Sequence, residues 1–388
     1  MPLPGVPSSI PVPADPRPAD RGHVVLVGAG HAHLEVVRQS ARLHAAGIRV
    51  TLIAPTEFRY SGLISPVAAG LLPADDNRID VAALTAHHGV EHLPTTVADV
   101  DTTTRTVATA SGGRVAYSAV SFNIGSVSGT AGVVVDDATH LTKPLVSLIA
   151  LRERLPSLAG QAASIAVVGG GATAVELAAC LSARLPDAHL TLYGRGDAPI
   201  ASLPLGARRR AVRRLLERGV VLRMPATVLE VADGVVSFHG GDTTASTPPR
   251  QGHHDLVVLA TGLIPPPLVT RSGLGDDRGI PTRATLQHRD HDDVFAVGDC
   301  SHFLPRPLPQ LGVFAVRAAP LLVEGLLAVH TPGVTPPVFE PQRRALQVLE
   351  LGHGRGLGVR GRGWSEGRAA LALKRGIDRR WMARYRPG

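Results

Sequence analysis

The stretch His23-Val24-Val25-Leu26-Val27-Gly28-Ala29-Gly30-His31-Ala32-His33-Leu34 is an apolar, β-branched run followed by two glycines one residue apart. After it, Leu34, Val37, Ala41 and Leu43 recur at helical spacing through residues 31–46. The reading is strand, tight turn, helix. Gly47 closes that helix, and residues 48–54 alternate as a second strand that Pro55 ends, which completes a β-α-β unit. In this context the first glycine makes the turn, and the second lets a diphosphate approach the N–H groups at a helix N-terminus. Gly28, Ala29 and Gly30 are therefore expected to hold a dinucleotide. The third small position of the G-x-G-x-x-G/A pattern is His33, and Ala54-Pro55 replaces the usual strand-end acid. Glu57, in the following loop, is either a ribose ligand or a solvated carboxylate.

The same grammar returns farther along. Residues 164–168 read as a strand, Gly169-Gly170-Gly171 as the turn, 172–185 as a helix and 189–193 as the next strand. Gly169, Gly171 and Ala174 fill all three small positions, so Gly169, Gly170, Gly171, Thr173 and Ala174 form the cleaner dinucleotide candidate. The following strand ends in Gly194-Arg195 where an adenosine 2′-hydroxyl would want an acid, which favours a 2′-phosphate and hence NADPH over NADH.

Thr- and Val-rich runs at 97–100, 106–110 and 115–117 read as an antiparallel meander after the first unit, and 220–222, 228–231 and 235–238 as a second one. Residues 240–254, rich in Gly, Thr and Pro, read as an exposed loop before a strand at 256–260 that ends in Thr261-Gly262. A further strand, 294–297, leads into Gly298-Asp299-Cys300, and another helix is expected to start at Gly312-Val313.

Composition narrows the class. The chain has 388 residues, 44% of them hydrophobic and 19% charged, enough for two or three packed units and too apolar for a disordered chain. No run approaches the roughly 20 apolar residues a membrane-spanning helix needs. The first 20 residues are proline-rich without a basic start or an apolar block, so they read as a flexible tail and not an export signal. The formal charge is +8, and residues 340–388 account for all of it (12 Arg or Lys minus 4 Asp or Glu gives 8), which disfavours a diffuse nucleic-acid binder. Cys180 and Cys300 lack the spacing of a redox pair or a metal cluster, which fits a reducing cytoplasm. His31, His33, His87, His88, His253 and His254 show no metalloenzyme spacing, and no metal is expected.

Together, Gly28 to His33, Tyr60-Ser61-Gly62, Phe122-Asn123-Ile124-Gly125-Ser126, Thr142-Lys143-Pro144, Gly298-Asp299-Cys300, Gly312 to Arg317 and Ile377-Asp378-Arg379-Arg380-Trp381-Met382 resemble the two-dinucleotide flavoproteins of the pyridine nucleotide-disulfide oxidoreductase superfamily. The branch is similar to type II NADH dehydrogenases, with some members fused ahead of selenide, water dikinase, and the likeness runs from about Arg21 to Tyr385.

The resemblance implies FAD on the first turn, NAD(P)H on the second, hydride transfer to flavin N5, and electron delivery to an acceptor. It implies flavin contacts from Gly28, Ala29, Gly30, His31, His33, Gly125, Gly298, Asp299, Gly312 and Val313, and nicotinamide-side contacts from Gly169 to Ala174, Arg195 and Gly262. Glu176 matches a glutamate that type II NADH dehydrogenases place near both rings, and is either a group that handles protons or a half-exposed helix carboxylate; Lys143, at the crossover between units, either reaches the flavin or makes a structural salt bridge in the hinge. Asn123, Gln310 and Ala318 depart from the branch, which usually has an acid, a lysine and a glutamine there.

The expected architecture is α/β, with two Rossmann-like three-layer domains. FAD takes 22–143 and 255–335, NAD(P) takes an inserted 144–254, and 336–388 is a basic C-terminal segment after the 1–21 tail. In that segment Leu373, Ile377, Trp381 and Tyr385 form an apolar stripe flanked by cations. Such a helix either lies at an anionic membrane surface, where a quinone acceptor would be met, or packs on the protein itself or a homodimer partner. The remaining alternatives are a soluble reductase serving a protein or small-molecule acceptor, including one in selenium or sulfur metabolism, and a flavoprotein redox sensor.

Overall fold

The structure is a computed structural model, and it describes residues 21–241 and 247–386. The proline-rich stretch read as a tail lies outside the described residues, apart from Arg21, whose N–H donates to Gly47.

Two five-stranded parallel sheets organise the chain. The first runs Val294–Ala296, Ala119–Phe122, Gly22–Val27, Ile48–Ile53, Glu91–Leu93. The second runs His140–Leu141, Leu256–Leu259, Ser164–Val168, His189–Tyr193, Val221–Arg223. In each, the strand before the glycine turn is central. Side chains alternate across a strand, so Val24 and Leu26 enter a core with the helices His31–Arg38 and Gly312–Ala328, while Val25 and Val27 enter another with Val100 and Val107 of the meander. The second unit repeats this, with Ile165 and Val167 facing the helix Ala172–Arg184, and Ala166 and Val168 facing Val228, Val236 and Phe238. Both units are three-layered, with helices on one face of the parallel sheet and an antiparallel sheet on the other.

Four expectations change. Residues 220–222 do not belong to an antiparallel meander, because Val221–Arg223 pairs in parallel with His189–Tyr193 and forms the edge of the second sheet. Residues 240–254 are not all loop, since Arg250–His253 pairs with Val235–Gly240; within that stretch, 242–246 lie outside the described residues. The boundaries at 143 and 255 also move. His140–Leu141 and Leu256–Leu259 hydrogen-bond into the second sheet, so the second unit takes in strands that the sequence assigned to the first. The helix over 31–46 is two helices, His31–Arg38 and Ser40–Ala45, joined at Gln39, whose N–H is shared between the carbonyls of Glu35 and Val36.

The C-terminal segment has its own small fold. Leu346–Glu350, Gly356–Arg360 and Gly363–Gly367 make an antiparallel sheet, and the helix Arg368–Met382 follows. One face of the sheet buries Leu357 and Val359 in the second unit's core. On the other face, Gly356 and Gly358 leave room for Ala370 and Leu371 of the helix. Glu366, its side chain 4% exposed, takes ion pairs from Arg210, Arg214 and Arg355, which ties the sheet to the helix Leu205–Leu216. The expected apolar stripe splits: Trp381 and Tyr385 are buried in the first unit's core, whereas Leu373 and Ile377 are 52% and 47% exposed. The helix buries Leu371, Lys374, Asp378 and Trp381, a face that mixes apolar residues with a lysine and an aspartate. Among the described residues, no helix is long and apolar enough to cross a membrane.

Candidate active site: two glycine turns and a buried ion network

At the first turn Gly28 has φ +85, a region closed to most side chains, and a Cβ there would lie 2.8 Å from the carbonyl oxygen of Asn123. Asn123 then organises the helix start. Its Oδ1 accepts from the N–H of Ala32 at 2.8 Å and of His33 at 3.3 Å, and its Nδ2 donates to the carbonyl of Val297 at 2.7 Å. An amide suits this position because one end meets donors and the other an acceptor. The N–H groups of Ala29 and His31 have no acceptor among the described residues, and Gly125 (φ +69) faces open space. Such donors fit the diphosphate of FAD.

His33 behaves differently from the expectation. Its side chain is fully buried, with Nδ1 2.6 Å from the Gly28 carbonyl and Nε2 2.8 Å from Ser121 Oγ. A carbonyl only accepts, so Nδ1 carries the proton and Nε2 accepts from the hydroxyl. Burial holds its pKa down at about 4, so the ring is neutral. His33 fixes the turn from behind and offers no side-chain atom to a ligand.

On the ligand side, Asp299 Oδ2 accepts from Lys143 Nζ at 2.9 Å and from Ser126 Oγ at 2.8 Å, and Lys143 Nζ also reaches Ser126 Oγ at 2.8 Å. Lys143 is thus held by the Gly298-Asp299 turn at the crossover. His31 stands nearby with its pKa held at about 4 by burial, a shift that Asp299 opposes and Lys143 reinforces. Gly312, which opens the helix Gly312–Ala328 ahead of Val313, lies against His31: a Cβ on it would be 3.2 Å from Nε2.

The second turn is tighter at its first glycine and more open after it. Gly169 has φ +149, and a Cβ there would collide with the carbonyl of Ala260, while Ala174 Cβ packs 3.3 Å away, as the small third position requires. Gly170 accepts from Ile200 N at 2.7 Å, and Gly171 caps the helix Ala172–Arg184 with no side-chain cap. Among the described residues nothing accepts from the N–H groups of Ala172, Thr173 or Ala174, and Gly171 and Thr173 are exposed. Three free donors at a helix N-terminus fit the diphosphate of NAD(P)H. Gly262 (φ +136) also faces open space, and Arg195 is exposed at the end of His189–Tyr193.

Glu176 joins the units. Its Oε2 accepts from Ser65 Oγ at 2.8 Å and its Oε1 from the N–H of Glu350 at 2.7 Å. Burial raises its pKa, and Lys374 and the two hydrogen bonds pull against that rise. Lys374, 7% exposed, donates to the carbonyl of Gly62 and to Asp378 Oδ2 at 3.1 Å, and Tyr60 donates to Asp378 Oδ1 at 2.9 Å. Burial by itself would lower the Lys374 pKa, but Glu176 and Asp378 together raise it. Hydrogen bonds therefore join Tyr60, Asp378 and Lys374, and the charge of Lys374 acts on Glu176 through space. Sequence reading assigned no role to Tyr60, Lys374 or Asp378. The available signal was the four-residue spacing of Lys374 and Asp378 in a chain with two lysines. Both thiols are buried; burial pushes Cys300 up to about 12 and moves Cys180 in the same direction.

Two Rossmann-like units, each presenting free amides at a glycine turn, define a two-nucleotide flavoprotein. The chain belongs to the pyridine nucleotide-disulphide oxidoreductase family, whose pattern matches residues 22–319. It is 26% identical to the type II NADH:quinone oxidoreductase of Staphylococcus aureus, over 93% of this chain and 95% of that one. Its fold is similar to that of NDH2 from Plasmodium falciparum in complex with NADH, with a TM-score of 0.80 at 12% identity, covering 94% of this chain and 97% of that one. The sulfide:quinone oxidoreductase of Aquifex aeolicus is also similar, with a TM-score of 0.77 at 15% identity, covering 94% and 91%. Within the family the chain falls in the branch similar to type II NADH dehydrogenases, and it is an NAD(P)H-dependent flavoprotein oxidoreductase that binds FAD and NAD(P)H.

Proposed function

We propose that the chain oxidises NADPH in preference to NADH through FAD and passes the electrons to a quinone. FAD, when bound, supplies a hydride acceptor at the first turn and a route onward for the electrons. The protein's part is placement and charge. The amides of Ala172, Thr173 and Ala174 hold the nucleotide diphosphate, and Arg195 supplies a cation for a 2′-phosphate. Asp299 and Ser126 position Lys143 beside the flavin site, where its charge favours an anion. Glu176, whose pKa burial raises, is placed to exchange a proton as the acceptor is reduced.

The observation that carries this reading is Glu176 itself: it starts on the helix of the second turn and is hydrogen-bonded by Ser65 of the first unit and by Glu350 of the C-terminal sheet. The quinone is supported by likeness to a named quinone reductase along nearly its whole length. The exposed Leu373 and Ile377, beside Arg379 and Arg380, fit a lipid surface from which a quinone would be drawn.

Anaerobic stopped-flow mixing tests each step. NADPH should bleach the flavin faster than NADH, and a short-chain quinone should then restore its absorbance faster than buffer does. Bleaching without quinone-dependent recovery would favour a soluble reductase with another acceptor, and a single bleaching with no sustained turnover would mark a redox sensor.

A further inference from the structure

One side chain of the second unit, Met224, meets both Gly170 in the second turn and Gly194 at the end of the next strand. Gly194 stands where an acid would receive an adenosine 2′-hydroxyl. Its own backbone does not call for glycine, since its φ is not positive. The neighbour does. A Cβ on Gly194 would collide with the Cε methyl of Met224, and would lie 3.5 Å from Met224 Cγ and 3.5 Å from the Cα of Gly170. Any side chain there, an aspartate included, has to displace that methyl.

The backbone aims Met224 at this place. The N–H of Gly194 donates to the carbonyl of Arg223 at 3.1 Å, and the N–H of Ala226 donates to the carbonyl of Gly194 at 2.8 Å, so the chain is clipped to Gly194 on both sides of Met224. Met224 is half-buried against the second unit's core, and its Cε ends 3.8 Å from where a Cβ on Gly170 would stand. Gly170 and Gly194 follow the neighbouring parallel strands Ser164–Val168 and His189–Tyr193. In such a unit the diphosphate sits beyond the first of these strands and the adenosine ribose beyond the second. The Met224 methyl therefore floors the gap that an adenosine has to cross. A thioether suits that floor, being apolar, polarizable and favourable against an aromatic base.

We propose that Met224 lines the adenosine subsite and is a specificity-determining residue. By filling the space over Gly194 it bars a strand-end acid, and with it the recognition of a free 2′-hydroxyl, which leaves a 2′-phosphate to Arg195. The inference rests on the NADPH reading of the second turn and deepens it.

The test uses the full FAD-loaded chain with adenosine 5′-monophosphate and adenosine 2′,5′-bisphosphate as binding probes. Met224→Ala should weaken both about 3- to 10-fold, the loss of an apolar contact. Gly194→Asp alone should also weaken both, because the displaced methyl enters the space of the adenosine. In the double variant the carboxylate has room and accepts from the 2′-hydroxyl. The monophosphate should then bind at least about tenfold tighter than to Gly194→Asp alone, and the ratio of kcat/KM values should turn toward NADH. Labelling the methionine methyl groups with 13C gives a reading on the parent chain, which decides the matter if a variant fails to fold. On saturation with the bisphosphate the Met224 signal, assigned with Met224→Leu, should shift, while that of Met382 in the first unit's core stays in place. An unmoved Met224 signal, or equal binding of the monophosphate by Gly194→Asp and the double variant, overturns the proposal. If the parent chain binds both probes equally, the NADPH preference fails, whereas the methyl shift and the monophosphate comparison still decide the role of Met224.

Discussion

The two glycine turns begin from the same sequence grammar and reach different chemical states. At the second, the amides of Ala172, Thr173 and Ala174 are unpartnered and the surface beside Gly171 is open. At the first, Asn123 has already taken the amides of Ala32 and His33, and the His33 ring braces the turn from behind. A turn whose shape is fixed by its own contacts, with the amides of Ala29 and His31 left for a diphosphate, suits a cofactor that stays, since little has to be ordered when it binds. An uncapped turn keeps its full partial positive charge for a ligand that comes and goes with each turnover. The copy that looks degenerate in sequence is thus the more elaborately supported of the two.

Breaking the second turn should have the largest effect. Gly169→Ala drives a Cβ into the Ala260 carbonyl, and flavin bleaching by either nucleotide should slow at least about 100-fold while FAD content stays normal, because strain of a few kcal/mol falls on that turn alone. Loss of flavin along with the rate would show that the turns are not separable.

The bracing of the first turn should show in acid. The His33 pKa is lowered in the folded chain from 6.5 to about 4, so the unfolded chain binds the proton more readily. Its contribution to stability is complete above pH 6.5 and is lost as pH falls toward 4, an effect of order 3 kcal/mol. Urea unfolding across that range should give a shallower pH slope in His33→Asn than in the parent, even though the variant is weaker overall; His31 and other histidines lowered by burial, His140, His254 and His288 among them, contribute to the slope that remains.

Asn123→Asp sharpens the same point, since it replaces a donor to Val297 with an acceptor and should cost about 2 kcal/mol, read as earlier thermal unfolding and faster FAD loss. Nucleotide binding at the second turn should be unchanged. Glu176→Gln keeps the shape but not the proton. Quinone reduction should fall about 10- to 100-fold, and the pH profile should lose one limb while flavin bleaching by NADPH persists. The smallest effect belongs to the rim: Arg195→Ala should narrow the preference for NADPH over NADH by about tenfold, one charge-assisted contact, measured as the ratio of the two kcat/KM values.

Local pattern made the frame legible. Alternation in residues 23–27 and 164–168 placed one face of each strand in each of two cores, and the glycine spacing placed both turns, because strand and helix periods are properties of neighbouring residues. The second meander was misjudged for the opposite reason: residues 220–222 look like any short β run, and only the neighbour they meet makes them parallel. Likewise His140–Leu141 and Leu256–Leu259 carry no mark of which sheet they join.

In the site, motif position singled out Glu176, Lys143 and Asp299, but not the buried ion pair of Lys374 with Asp378, whose lysine charge acts on Glu176. Lys374 and Asp378 come from the far end of the chain, and their burial defies the usual expectation that a lysine and an aspartate face water.

What the order of residues determined alone was the repeated strand, turn and helix, the two glycine turns that open helices, and the concentration of positive charge at the C-terminus. Tertiary structure decided which amides remain free, that Lys143 is held by Asp299, and that the C-terminal helix turns Trp381, Asp378 and Lys374 inward while Leu373 and Ile377 stay exposed. The physical reason is one of range. Backbone preference and side-chain period act over a few residues, whereas burial, ion pairing and hydrogen-bond completion depend on groups that meet only when distant segments pack together.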